Sequence, residues 1–359
     1  MRKSKKKTWR IIGLSVLIIV GALWAFSVFI YNENINQRME SYQPLSFKVE
    51  DFDGLKCTKY NFPSDKGQML SGALYSAVDD QKGIIILSHG FGSGYNSYLD
   101  AINYLAQNGY YVFAYDGTGN DESEGQGVGG FPQGSIDLDY AISFVKESGN
   151  FPDLSIGLFG HSWGAYSVCS VLSYHPDIKA VISSCGANKS SDYFEAVGKK
   201  QAGDFIYAMM PFIKIHERIK FGKYANHSAM DGFEASDAAV LLAHSEDDNF
   251  IPPEYGYDLF YENYKDDPRF TFLLFKDKGH SDFFADPKNT YKAEFDQTLE
   301  KWAGSLAYDY KADENKDRFD KDKAEYIENK LDREKWANRL DEDLFEQFLD
   351  FYNRSMTSN

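Results

Sequence analysis

The sequence predicts an α/β fold: a mainly parallel sheet covered by helices on both faces, preceded by one membrane-length apolar helix. Three observations lead there. Short apolar runs alternate with helix-like segments through the middle of the chain, the pentapeptide Gly160-His161-Ser162-Trp163-Gly164 joins one such run to one such segment, and residues 11–30 contain no charge. Alternation of this kind implies parallel pairing, because a crossover between parallel strands needs a helix's length of chain.

Residues 1–10 carry six basic side chains (Arg2, Lys3, Lys5, Lys6, Lys7 and Arg10) and no acid. Residues 11–30, at a rise of ~1.5 Å each, reach about 30 Å, one hydrocarbon thickness. Ala22 and Ala25 are mis-spaced for signal-peptide cleavage. A retained signal anchor is therefore expected, with the basic flank in the cytoplasm, the body outside the cell membrane and the lipid bilayer as a partner of residues 11–30. Residues 31–54 read as a polar stalk.

A hairpin is expected near residues 55–61 and 68–76, with strands near 84–87, 110–115, 154–159, 179–184, 238–243 and 270–275. Helices are expected near 97–108, 134–148, 162–173, 253–264 and 287–304, which places the main domain at 55–305. An apolar, helix-like insertion over about 188–233 breaks the alternation, and its position suggests a cap. Met209, Met210 and Phe212 are soft apolar side chains suited to line an acyl pocket, although they could equally fix the cap to its own domain.

Residues 306–359 form an acidic helical extension; from 309 onward it holds 10 basic and 15 acidic residues among 51. Trp336, Leu340, Leu344, Phe348 and Tyr352 recur at i+4, predicting one helix with an apolar stripe. Docking on the main domain is expected of that stripe, with self-association as the alternative.

The whole chain has 38 basic and 54 acidic residues, a net charge of −16. Residues 31–359 alone hold 32 basic and 54 acidic residues, a net of −22. So acidic a body argues against nucleic acid and against an anionic lipid surface. Cys57, Cys169 and Cys185 are an odd set in a domain large enough to need no disulfide staple; Cys169 and Cys185 read as buried small hydrophobes. Motifs for metal ligation or phosphate cradling are absent, so no cofactor is implied.

Glycines two residues either side of Ser162 permit a sharp strand-to-helix turn that lifts its hydroxyl above the sheet, near the positive end of the following helix. A serine needs an imidazole to take its proton. Among seven histidines, His280 follows a strand-like run in a loop and is the candidate base. His89, His161 and His244 read as structural, and His175, His216 and His227 as surface residues. The acid should follow the strand at 238–243, where Glu246, Asp247 and Asp248 stand together and chemistry alone does not choose. The glycine-rich loop of residues 88–94 can aim the Phe91 N–H at a developing oxyanion, with the Trp163 N–H as the second donor.

With these motifs the chain resembles the α/β-hydrolase superfamily, in particular its monoacylglycerol-lipase-like and prolyl-aminopeptidase-like serine hydrolases. The resemblance covers about residues 55–305. It rests on His89-Gly90-Phe91-Gly92, residues 116–125, the pentapeptide at 160–164, Asp248-Asn249-Phe250-Ile251-Pro252 and Gly279-His280. It implies the α/β-hydrolase fold, and it picks Asp248, because the family's acid precedes x-x-[VI]-P. One departure is Asp121 where the family has a glycine, with Thr118 in place of a basic residue; the added acidity is expected to disfavour anionic substrates.

With the anchor expected at residues 11–30, the resemblance implies a membrane-anchored, extracytoplasmic serine hydrolase of carboxylic (acyl) esters. A small-molecule acyl ester is the expected substrate, with Ser162, His280 and Asp248 as the triad and Phe91 and Trp163 as oxyanion donors. The alternatives are a serine aminopeptidase, an acyltransferase on the same triad, or a catalytically silent binding protein of the cell envelope.

Overall fold

The computed structural model describes residues 2–356, with the side chains of residues 2–6 and 8 outside that description. The expected basic cluster at Arg2, Lys3, Lys5 and Lys6 therefore lies outside the described side chains.

Eight strands form one sheet: β1 (Lys56–Pro63), β2 (Met69–Ser76), β3 (Ile84–Ser88), β4 (Tyr111–Tyr115), β5 (Ile156–His161), β6 (Ala180–Ser184), β7 (Ala239–Ser245) and β8 (Phe270–Phe275). Their spatial order is β1-β2-β4-β3-β5-β6-β7-β8. The β1–β2 hairpin is antiparallel and joins β4 antiparallel, while β4, β3, β5, β6, β7 and β8 run parallel. β3 and β5 are buried throughout, as the uninterrupted apolar runs require of strands covered on both faces.

The helices are α1 (Arg2–Ile35), α2 (Leu99–Gln107), α3 (Pro132–Glu147), α4 (Trp163–Ser170), α5 (Ser190–Ala202), α6 (Ile206–Phe221), α7 (Ala229–Ala235), α8 (Tyr257–Tyr264), α9 (Tyr291–Gly304), α10 (Lys316–Lys330), α11 (Arg333–Ala337) and α12 (Glu342–Met356). α3, α4, α7 and α8 contribute to the core on one face of the sheet. α2 and α12 contribute to the other, where Phe345, Phe348 and Tyr352 surround Phe159 and the Tyr352 hydroxyl donates to the Leu158 carbonyl at 2.7 Å. This is the α/β-hydrolase fold that the motif order implies.

Four expectations need correction. First, the apolar stripe of the extension is split between two helices. Residues 339–341 are extended against the segment after His280: Leu340 bridges Ala285, the Asp286 N–H donates to the Arg339 carbonyl at 2.8 Å and the Asp341 N–H to that of Phe284 at 2.8 Å. Those tertiary bonds replace the helical ones, and the Asp341 side chain starts α12 by accepting from the Leu344 N–H at 3.1 Å. The stripe itself is buried in the chain's own core.

Second, residues 31–54 are no free stalk. Met39 bridges Asn120, Arg38 donates to the carbonyls of Ser123 and Gly125, and Phe47 and Phe52 are buried. The extension clamps the same segment, with Arg333 on Asp51 and the Trp336 indole N–H on the Leu45 carbonyl at 2.9 Å.

Third, the cap residues Met209 and Met210 are buried in a cluster with Tyr31 and Ile35 of α1. The end of the apolar helix occupies that face. The Tyr31 hydroxyl donates to Glu217 Oε1 of α6 at 2.7 Å, and Ser190 Oγ donates to Glu217 Oε2 at 2.8 Å. By contrast, Ile11, Leu17 and Ile19 stand more than half exposed. Among the described residues one helix, over Trp9–Ile35, is long and apolar enough to cross a membrane.

Fourth, the three histidines expected at the surface are packed. His175 pairs with Asp139 at 2.7 Å, His216 meets the Tyr31 ring edge-on, and His227 stacks on Tyr174.

Candidate active site

Parallel strands end together, so the loops after β3, β5, β7 and β8 meet at one edge of the sheet. Ser162 follows β5 with φ 54 and ψ −116, a left-handed conformation forced by the turn into α4. The flanking glycines are required sterically. A Cβ at Gly160 would stand 2.4 Å from the Gly164 carbonyl oxygen, and one at Gly164 would stand 1.9 Å from that of Ser88. The Ser162 N–H donates to the Ser184 carbonyl at 2.8 Å, and Tyr193 of α5 donates to the Ser162 carbonyl at 2.6 Å. The turn is thus held from β6 and from the cap.

His280 Nε2 lies 2.8 Å from Ser162 Oγ, and His280 Nδ1 lies 2.7 Å from Asp248 Oδ2. Asp248 Oδ1 accepts the N–H groups of Phe250 and Ile251, each at 2.8 Å. Burial alone would raise the Asp248 pKa. Hydrogen bonds from His244 and His280, and the neighbouring main-chain donors, outweigh it and hold the carboxyl well below the usual range. Asp248 therefore stays ionised and fixes the Nδ1–H tautomer, which leaves Nε2 free to accept the serine proton.

Asp247 and Glu246 are both exposed. Asp247 Oδ1 accepts from Ser245 Oγ at 2.6 Å and from the Gly279 N–H at 2.9 Å, bracing the histidine loop without touching the imidazole. The N–H groups of Phe91 and Trp163 carry no hydrogen bond among the described residues. Both residues sit at the loops expected to supply oxyanion donors, and their rings meet edge-on at 5.8 Å.

Ser162, His280 and Phe91 line a cavity of about 270 Å³ together with Tyr98, Asp100, Phe250, Phe284 and Arg339. Met209, Met210 and Phe212 are not among its lining residues; Met209 and Met210 are buried in a cluster with Tyr31 and Ile35 of α1 and with Trp163. The carboxylate of Asp121 is likewise used elsewhere, accepting from the N–H and Oγ of Ser41 at 2.5 and 2.6 Å. It is not among the cavity's lining residues, so its acidity has no direct bearing on substrate charge.

Several residues at the site were not singled out by sequence. Phe250 lies 5.1 Å, ring to ring, from His280 and shields one face of the imidazole. Burial and the adjacent Asp248 push the Cys185 thiol far up, so it stays protonated as a donor toward that carboxylate. His161, read as structural, touches both Tyr98 and the His280 main chain. Only the Asp248-x-x-Ile-Pro spacing hinted at Phe250; the other contacts are between residues distant in sequence.

A family model described as serine aminopeptidase matches residues 79–231, which include Ser162 but end before Asp248 and His280. No curated protein matches the chain by sequence. Among solved structures, an esterase of Pyrococcus furiosus superposes with a TM-score of 0.54 at 16% identity, covering 74% of this chain and 97% of its own. An acetyl xylan esterase of Thermoanaerobacterium gives 0.50 at 18% identity, covering 77% and 92%. An acylaminoacyl peptidase of Pyrococcus horikoshii gives 0.54 at 15% identity, covering 86% of this chain and 43% of that longer one. At these identities the structural likeness establishes the fold; with the family match it supports a serine hydrolase.

Proposed function

We propose that this chain is a membrane-anchored serine hydrolase that cleaves small carboxylic esters through Ser162, His280 and Asp248. The observation that carries the reading is the continuous relay from Ser162 Oγ through the His280 ring to Asp248, at 2.8 and 2.7 Å. In this reading His280 Nε2 takes the hydroxyl proton as Oγ attacks the ester carbonyl, and the N–H groups of Phe91 and Trp163 receive the oxyanion. Collapse expels the alcohol, which takes its proton from His280, and leaves the acyl group on Ser162. Water, deprotonated by the same imidazole, then releases the acid and regenerates the serine.

A peptidase working through the same relay is the second reading, favoured by the description of the matching family. The anchor is residues 11–30, and the basic flank at 2–10 argues for a cytoplasmic N-terminus and an outward-facing catalytic body.

The test is fluorophosphonate labelling with ester and amide panels on wild type and Ser162→Ala. Wild type should label at Ser162 and turn over short esters, and Ser162→Ala should lose both while melting as the wild type does. Labelling that persists at another serine, or turnover that survives the substitution, would remove Ser162 from the role. Faster hydrolysis of aminoacyl amides than of matched esters would favour the peptidase reading.

A further inference from the structure

We propose that Arg339, supplied by the C-terminal extension, is a specificity-determining residue that binds an anionic oxygen group, a carboxylate or a phosphate, on the substrate. The inference rests on the hydrolase reading of Ser162. Among the described residues Arg339 is the sole lysine or arginine lining the cavity that holds Ser162 and His280. It is placed there by the extended pairing of residues 339–341 with the segment just past His280.

The guanidinium is fixed before any ligand arrives. Arg339 Nε donates to the Trp336 carbonyl at 2.7 Å, and the group lies 4.0 Å from the Trp336 ring centroid and 5.3 Å from that of Phe47. Among the described residues its two Nη groups make no hydrogen bond, and no carboxylate stands within 4.0 Å as an ion-pair partner. Elsewhere in the same extension Arg333 closes its fork on Asp51 and on the Ser46 carbonyl. A planar fork held by aromatic faces and left unfilled at the wall of a reactive cavity is preorganised for bidentate oxygen anions.

Two carboxylates share the cavity wall, Asp100 and Asp282. Asp282 lies 3.1 Å from Lys292, which occupies it. Asp100 accepts the Ala101 N–H at 2.8 Å, and burial pushes its carboxyl up to about 6 despite the nearby Arg339. The alternative role for Arg339 is to offset these two charges without touching substrate. The two roles predict different substrate preferences. A cavity of about 270 Å³ accommodates a short ester, with the anion on either its acyl or its alcohol side.

Two matched pairs test this on the full chain in detergent. Methyl butyrate against monomethyl succinate places a carboxylate on the acyl side; the butyrate ester of ethylene glycol against its phosphate monoester places a phosphate on the alcohol side. The readout is the ratio of kcat/KM for the charged ester to that for the neutral one. In wild type the ratio should exceed one for at least one pair, and the pair identifies the source of the anion. Arg339→Gln should lower that ratio ~10- to 100-fold, chiefly through KM, as expected for a lost charge-assisted fork. Arg339→Lys should keep part of it, and Asp100→Asn should raise it by removing repulsion.

A wild-type ratio at or below one in both pairs overturns the proposal, whether or not the variant folds. So does a ratio unchanged by Arg339→Gln, or by Asp100→Asn. If neither neutral ester is turned over and Ser162 resists fluorophosphonate, the hydrolase reading itself has failed, which is a different result.

Discussion

The His161 ring donates from Nε2 to the main-chain carbonyl of His280, 3.0 Å away. Its other nitrogen lies 3.0 Å from the Tyr98 hydroxyl, which in turn accepts the Gly90 N–H at 2.9 Å. A carbonyl can only accept, so the proton sits on Nε2 and Nδ1 accepts from Tyr98. Burial, reinforced by His280, pushes the His161 pKa down to about 3, and the ring stays neutral across the physiological range. The residue before Ser162 thus ties the loop of His280 to the glycine-rich loop of residues 88–94.

This makes His161 a positioning residue, and its substitution should separate geometry from chemistry. His161→Leu removes both bonds and should lower ester turnover ~10-fold or more, since a misplaced base loses much of its effect. His161→Gln keeps an N–H at a similar reach and should retain more activity. The pH profile between 5 and 8 should keep its midpoint in both, because His161 does not titrate there. Equal activity in the two variants, or a moved midpoint, would refute this assignment.

Asp248→Asn should reduce turnover by roughly 10⁴-fold, because an amide cannot stabilise the Nδ1–H tautomer and imidazolium as a carboxylate does. Asp247→Asn should cost less than about tenfold. Its Oδ1 can still accept from Ser245 and Gly279. The kcat values of the two variants, measured side by side, decide the matter; comparable losses would refute the assignment of Asp248 as the acid that orients His280.

The contact between α1 and α6 should weaken as pH rises. Burial pushes the Glu217 carboxyl up to about 7, only partly offset by the hydrogen bonds from Tyr31 and Ser190. The folded state therefore holds this proton more tightly than the unfolded chain, whose carboxyl titrates near ~4.3. Stability from this site is full below that value and declines as pH climbs through about 7, by up to ~3 kcal/mol. Asp116 and Asp100, also raised by burial, act in the same direction, so the readout is the difference between wild type and Glu217→Gln. Melting of the full chain in detergent should fall less steeply from pH 5 to 8 in the variant. Parallel curves would mean that the Glu217 carboxyl titrates alike in the folded and unfolded chain, and would refute the assignment.

If residues 11–30 span the membrane with the basic flank inside, protease added to intact cells or spheroplasts should attack the body and spare an N-terminal fragment. Because α1 continues unbroken to Ile35 and docks on α6, the first cuts should fall beyond residue 54 rather than in residues 36–54. A soluble mature form beginning near residue 31 would mean that the anchor is removed. Early cleavage at 36–54 would mean that the segment is not packed on the body in the membrane.

The strand–turn–helix around Ser162 was legible because its requirements are local: an apolar run, two glycines where a Cβ would collide with backbone, and a helix to follow. The loops that carry His280 and the three carboxylates at 246–248 could be placed for a related reason, since parallel strands bring their following loops to a common edge whatever the side chains between them. The choice of Asp248 came from the family resemblance, and the strand order from the structure. The extension misled, because Leu340 continues an i+4 pattern while its backbone pairs with Ala285. Spacing records which residues are buried, and a bridge can bury a leucine as well as a helix can. Met209 and Met210 show a related limit: apolar character gave their burial but not their partners, which include Tyr31 and Ile35 of α1.

By itself the sequence determined the α/β-hydrolase fold, the membrane-length helix and the chemistry gathered at the sheet edge. Tertiary structure alone decided that α1 and the 31–54 segment pack on the body, that His161 links two loops of the site, and that Arg339 reaches the cavity beside Ser162. The reason is physical: local patterns fix backbone geometry within a few residues, whereas side chains brought together from opposite ends of the chain leave no spacing between them to read.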